Sequence, residues 1–318
     1  MKEAMHADPQ TTADIATDNE RATRDAIWYV PEGAFDRGLA AVPAHLFVQE
    51  QRRALAPERP TGLIPMDLSE VLGTVGPATT PAMLARYVVV RAGERLAHAF
   101  EATGEVYYVA RGRGTTTAAG DGAAADTCIA WRSGDAFVLP GASRTEHHAE
   151  VDSLLVCFTN EPELAYAGVR APEAAHNRVV RPAFFDGRTL DAKLGLVHQR
   201  TGPQLTAGKA VILATTPMAA MRTVLPSLTA AVNTLEPGGQ QRPHRHNAAA
   251  LTLAIESEGV HSRIDGRDIP WIRFGLMVTP PQAEHSHHNH GPRMMKSFVV
   301  QDGALYYQLR NAGFAWTA

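Results

Sequence analysis

The stretch HRHNAAALTLAIESEG (residues 244–259), answered further along by TPPQAEHSHHN (residues 279–289), decides how this chain is read. In an extended strand, residues two apart share a face. His244 and His246 can therefore point into one interior, where His285 on a distant strand completes a set of imidazoles. Three neutral imidazoles suit a divalent first-row metal such as Fe, Mn, Ni or Zn. Seven of the fourteen histidines fall in the last 75 residues, which marks this end of the chain as the seat of the chemistry.

Around that stretch lie short β-branched or aromatic runs separated by Gly, Pro and Asp turns. They are 227–235, 251–257, 259–264, 274–280, 296–301 and 304–309. An earlier series, at 87–90, 106–112, 127–131, 135–140 and 153–158, has the same turn positions. The text reads as one all-β barrel duplicated, and two barrels account for 318 residues. We therefore expect an N-terminal tail and wrapping segment (1–75), a first barrel (76–165), a connector (166–225) and a second barrel (226–318). Helix candidates are few and short, at 44–55 and 217–224. Residues 1 to about 25 are polar and without periodicity, and read as a tail.

Composition narrows the function. A net charge of −3 gives no basic excess for nucleic acid, and no apolar run reaches the roughly 18 residues of a membrane span. The first twenty residues lack the apolar segment of a secretory signal, so a cytoplasmic protein is expected. Cys128 and Cys157 are too few for a disulfide framework and read as reduced core thiols.

Gly238, five residues, then His244-Arg245-His246, with Pro280 and His285 later, resembles the paired signatures of the cupin superfamily. That resemblance implies two double-stranded β-helix (jelly-roll) barrels, a bicupin. Many cupins place a Glu four or five residues after the second His; here Ala250 or Leu251 stands there. The HRH-x4-L strand without that Glu, the TPP-x3-H-x-H-x-N run and the later Asp302-Gly303 are similar to the gentisate and salicylate 1,2-dioxygenase family, over roughly residues 227–310. One feature departs from it: the better-known gentisate dioxygenases carry their metal in the N-terminal barrel.

The resemblance implies an Fe(II)-dependent, extradiol-type ring-cleaving dioxygenase with O2 as co-substrate. Its substrate would be a salicylate-class hydroxylated aromatic acid, such as gentisate, salicylate or a 5-substituted salicylate, cleaved between the carboxyl- and hydroxyl-bearing carbons. His244, His246 and His285 would hold the iron. His287, two residues beyond His285, is the candidate acid/base. Asp302 is the candidate for orienting a ligand imidazole, with a turn-forming Asp as the plainer reading. Asn289, Arg222 and Arg263 are candidates for substrate contact, because Ala248 and Thr252 stand where the family often has a Gln and an Arg. That altered clamp favours a substituted salicylate over gentisate. His261, His288 and His290 are read as core or surface imidazoles rather than ligands. The first barrel repeats the signature in worn form, with His98, Glu105 and His147 but Phe100 in the second His position, and is expected to serve structure without metal. The alternative is a non-oxygenase metal-binding bicupin, whether ligand-binding protein, isomerase or hydrolase. Exposed strand edges favour a homo-oligomer, a dimer or tetramer.

Overall fold

The computed structural model describes residues 18–36, 38–119, 126–172, 176–177, 179–199 and 208–317. The chain divides into two compact units, 1–39 and 40–318. In the first, residues 18–24 are helical and Pro31–Gly33 form a 3₁₀ turn. The rest of the expected tail, residues 1–17, lies outside the described residues.

The second unit holds two copies of one strand arrangement. In the first copy, Ala136–Pro140, Gly104–Arg111, Ser153–Thr159 and Leu84–Val90 lie side by side in a sheet extended by Ala183–Phe185 and Gly62–Met66. A second sheet orders Arg95–His98, Thr145–Ala149, Arg113–Ala118 and Thr127–Arg132. The later half repeats this order. Leu276–Thr279, Ala250–Glu256, Met295–Gln301 and Thr229–Leu235 are flanked by His45–Leu46 and Lys209–Leu213. Facing them, His244–His246, His285–Asn289, Val260–Ile264 and Arg267–Pro270 are followed in the same order, with Phe314–Trp316 added beside the HRH strand. All pairings are antiparallel, as a jelly roll requires.

Several of these strands read as continuous apolar runs because both faces are buried. Along Ser153–Thr159, Leu154, Val156 and Phe158 join a core shared with the second copy, while Leu155 and Cys157 face their own interior. The shared core packs the two larger sheets together, with Tyr108 stacked on Phe298 at 4.9 Å and the Tyr87 hydroxyl donating to the Phe274 carbonyl at 2.6 Å. The two halves therefore stand as one unit. No helix among the described residues is long and apolar enough to cross a membrane.

Three local expectations are corrected. Residues 304–308 belong to the helix Gly303–Gln308, with Leu309 as its C-cap, instead of a strand, because the chain turns at Asp302-Gly303 and only Gly303 and Ala304 of the helix are buried. Aromatic β-propensity misled there, being a statement about packing. At 217–224 only a 3₁₀ turn, Thr216–Met218, forms. The connector instead carries the helix Gly187–Gln199, started by the Asp186 carboxylate accepting the Thr189 N–H at 2.8 Å and seated through buried Leu190 and Leu194. Finally, Cys128 is exposed, since alternation along Thr127–Arg132 turns Ile129 and Trp131 inward instead.

Candidate metal centre

His244 and His285 are direct cross-strand partners, and His246 follows on the face of His244. The ring centroids lie 4.2 Å (His244–His285), 4.7 Å (His246–His285) and 6.0 Å (His244–His246) apart, and one ligand nitrogen from each falls within 4.8 Å of the others. Each ring is tied through Nδ1 to a backbone carbonyl: His244 to Arg242 at 3.1 Å, His246 to Ala248 at 2.8 Å and His285 to Ala283 at 2.9 Å. A carbonyl only accepts, so each Nδ1 carries the proton and each Nε2 is left with a lone pair. Burial pushes all three below the usual imidazole range, His285 down to about 2, helped by its two neighbours. The donor set thus fits a divalent transition metal: neutral, with tautomers set by the backbone.

The imidazoles open on a cavity of about 290 Å³, near the lower end of the roughly 300–1,000 Å³ typical of small-molecule sites. A single aromatic ring suits that volume. His287 lines it. The Trp271 indole donates to the Ser262 hydroxyl at 2.7 Å, and Ser262 Oγ lies 2.7 Å from His287 Nδ1. The pattern that satisfies every group has Ser262 donating to Nδ1, which places the His287 proton on Nε2, on the far side of the ring. Burial and the neighbouring imidazoles hold His287 neutral, down to about 3.

The structure separates the remaining candidates. Asp302 meets no imidazole through a hydrogen bond; its carboxylate accepts the Ala249 N–H at 2.8 Å, bracing the turn whose Ala248 carbonyl orients His246. Burial raises Asp302 to about 7. Asn289 is fully buried, and its amide is bonded to backbone at Leu235, Arg293 and Gly291, closing a loop. Arg263 lies on the outer surface, paired with Asp268 at 2.8 Å, because alternation along its strand turns Ser262 inward and Arg263 out. Arg222 lines a second cavity that shares Asn233, Gln301 and Tyr307 with the first. Among the described residues, the main cavity's lining includes no Lys or Arg.

Sequence reasoning missed several wall residues. Phe314, from a strand beside HRH, lines the cavity with its ring 5.2 Å from that of His244, and Trp316 of the same strand packs against His244 at 5.9 Å. Gln241 lines the cavity with a buried Oε1 that has no hydrogen-bond partner. No local signal marks these. Ser262 and Trp271 did leave one, since Thr116, Trp131 and His147 repeat their arrangement in the first barrel: Trp131 donates to Thr116 at 2.8 Å, and Thr116 Oγ1 lies 2.7 Å from His147 Nδ1.

The first barrel shows what fills the equivalent space. Strand register equates His98 with His244, Thr145 with His285, and Glu105 with Ala250, since Glu105 opposes Leu139 as Ala250 opposes Thr279. Phe100 stacks on His98 at 4.0 Å, beneath the Arg86 guanidinium. Glu105 receives the Tyr107 hydroxyl at 2.6 Å, and His98 Nε2 lies 3.1 Å from both Tyr107 Oη and His147 Nε2. Burial raises Glu105 to about 8 and lowers His98 to about 4, so both are neutral at pH 7.

No family model matches the sequence. The chain is 30% identical to a gentisate 1,2-dioxygenase of a Streptomyces species over 103 residues, 31% of this chain and 29% of that protein. It is 32% identical to a gentisate 1,2-dioxygenase of a Ralstonia species over 75 residues, 24% of this chain and 21% of the relative. These matches span less than a third of the curated relatives' length. Among solved structures, salicylate 1,2-dioxygenase from Pseudaminobacter salicylatoxidans superposes with a TM-score of 0.72 at 14% identity, covering 97% of this chain and 99% of that one. The same enzyme in its gentisate adducts gives a TM-score of 0.70 at 14% identity, covering 100% and 97%. The chain therefore has the two-barrel cupin fold of salicylate 1,2-dioxygenase, and part of its sequence is similar to gentisate 1,2-dioxygenases.

Proposed function

We propose that the second barrel is the active site of an Fe(II)-dependent dioxygenase that opens the ring of a salicylate-class hydroxylated aromatic acid between its carboxyl- and hydroxyl-bearing carbons. The observation that carries this is the set of three imidazoles, each held by a backbone carbonyl with its Nε2 free, beside a cavity the size of one ring. Both atoms of O2 enter an oxo-diacid product, so no external reductant is needed. Iron held by His244, His246 and His285 would supply the Lewis-acid and redox chemistry that brings the substrate anion and O2 to reaction.

The chain's own residues do the rest. His244, His246 and His285 bring no charge, which leaves the substrate anion to balance the cation. His287 donates its Nε2 proton toward the reacting oxygen atoms, and Gln241 accepts from a substrate hydroxyl. Phe314 walls the ring, while Ala250 and Thr252 leave it room. Arg222, from the adjoining cavity, is the cation assigned to a substrate carboxylate or ring substituent. With Ala248 and Thr252 in the usual clamp positions, a 5-substituted salicylate is the preferred substrate. The exposed strand edges favour a homo-oligomer, which we place in the cytoplasm.

The test is anaerobic iron reconstitution followed by oxygen uptake and near-ultraviolet absorbance against a panel of hydroxybenzoates. Uptake of one O2 per ring with a new absorbance supports the reading. Zinc as the native ion, with no oxygen consumption after iron loading, overturns it in favour of a non-oxygenase metal protein.

A further inference from the structure

The strand that carries His285 and His287 inward carries a second set of histidines on its other face. His288 points outward, and His290 follows two residues on, the pairing continued by the His290 N–H to the Gly259 carbonyl at 2.9 Å. Directly across the ladder from His288 stands His261 of Val260–Ile264. The backbone holds this corner tightly: a Cβ on Gly291 would meet the Glu258 carbonyl oxygen at 1.8 Å, so the turn after His290 admits only glycine at that place.

The three rings lie nearly parallel. Centroids are 4.6 Å apart for His261–His288, 5.3 Å for His261–His290 and 6.3 Å for His288–His290. One nitrogen from each lies within 4.8 Å of the others. His288 is 7% exposed and His290 is open to solvent, so the cluster has an anchored floor and an accessible rim. Asp268 Oδ1 lies 3.8 Å from His261 Nε2, and Arg263 holds that carboxylate at 2.8 and 3.2 Å. The Ser286 hydroxyl, 2.8 Å from His288 Nε2, is the remaining polar neighbour.

We propose that His261, His288 and His290 form a second metal site, on the outer face of the barrel, for a divalent ion of the Zn2+, Ni2+ and Cu2+ class, with Asp268 completing the donor set. Residues two apart on one strand, together with the residue directly opposite, form a natural chelate for such an ion. Three imidazoles and one carboxylate match its preference for nitrogen with some oxygen. Tetrahedral binding at about 2.0–2.1 Å needs nitrogens roughly 3.3 Å apart. Side-chain rotation closes the gap, with exposed His290 moving most. An ion there ties together the two strands that also carry His285, His287 and Ser262, from the side opposite the cavity. The site stands independently of the inner centre, because its ligands share no residue with it.

The experiment uses full-length, tag-free protein stripped by chelator and loaded with Zn2+. Ions retained per chain after gel filtration are counted by elemental analysis. The expected result is two for wild type, one for His290→Ala, one for His261→Asn, one for His285→Ala and none for His285→Ala combined with His290→Ala. Co2+ loaded into His285→Ala should show the visible bands of tetrahedral coordination, and these should vanish on adding His290→Ala. If His290→Ala and His261→Asn both retain as much zinc as wild type, or if His285→Ala retains none, the outer site does not exist. One zinc in His285→Ala that disappears with His290→Ala upholds it even if the inner centre takes no zinc. Circular dichroism on each variant keeps loss of fold distinct from loss of a ligand.

Discussion

Glu105→Gln tests whether the interior of the first barrel is built around a proton or around a metal. Glu105 is fully buried, and burial raises its carboxyl from 4.5 to about 8, against the opposing Tyr107 and Thr145 hydroxyls and the Arg86 charge. Between those pH values the unfolded chain's carboxylate ionises while the native one stays protonated, so the native state binds the extra proton. Stability is then complete below pH 4.5 and falls as pH rises, by about 1.4 kcal/mol per pH unit and about 5 kcal/mol in all by pH 8. Glutamine cannot ionise and still accepts from Tyr107. The variant should melt like wild type near pH 4.5 and outlast it increasingly toward pH 8, with metal content unchanged. Urea unfolding of both proteins across that range is the assay. A variant with the same pH slope as wild type, or one that loses bound metal, would refute the reasoning, because a metal-bound Glu105 would be an anion whose removal destabilises.

Four further outcomes follow from the second barrel. His285→Ala should bring bound iron and oxygen uptake to background while the metal-free protein unfolds within about 1 kcal/mol of wild type, since the shared apolar core is untouched; undiminished iron binding would disprove the ligand set. Ala250→Glu puts into this barrel what Glu105 occupies in the other. It should keep or tighten metal binding and cut turnover roughly 100-fold by filling the cavity, as steady-state rates and metal analysis would show. Ser262→Ala removes the hydroxyl beside His287 Nδ1 and should lower kcat roughly ten-fold at constant iron content, a split that loss of fold would not produce. Arg222→Ala should raise KM roughly ten-fold with kcat nearly unchanged; no change would remove Arg222 from the site.

Much of this was legible beforehand, for reasons visible in particular residues. The H-x-H spacing and the later histidine point to a convergent set of imidazoles because strand alternation has a period of two, and His244, His246 and His285 do converge. Phe100 announced a different interior for the first barrel. The same alternation rule fails where a residue's burial is decided by what packs outside its own strand. His288 reads as a surface imidazole, yet His261 across the ladder buries it; Asn289 reads as a substrate contact, yet three backbone groups consume its amide. Asp302 reads as a partner for a ligand imidazole, yet its carboxylate accepts the Ala249 N–H, a partner that no side-chain motif encodes.

What the sequence alone determined is the duplicated all-β pattern and the identity of the nitrogen donors, because both rest on local periodicity and residue chemistry. What only the tertiary structure decided is how the space beside the imidazoles is shaped and what lines it. Glu105 and Ala250 occupy equivalent ladder positions, and the small residue leaves room in the second copy, where Phe314 arrives from the far end of the chain to line the cavity. Register and long-range packing set that outcome, and neither is written in any single stretch of sequence.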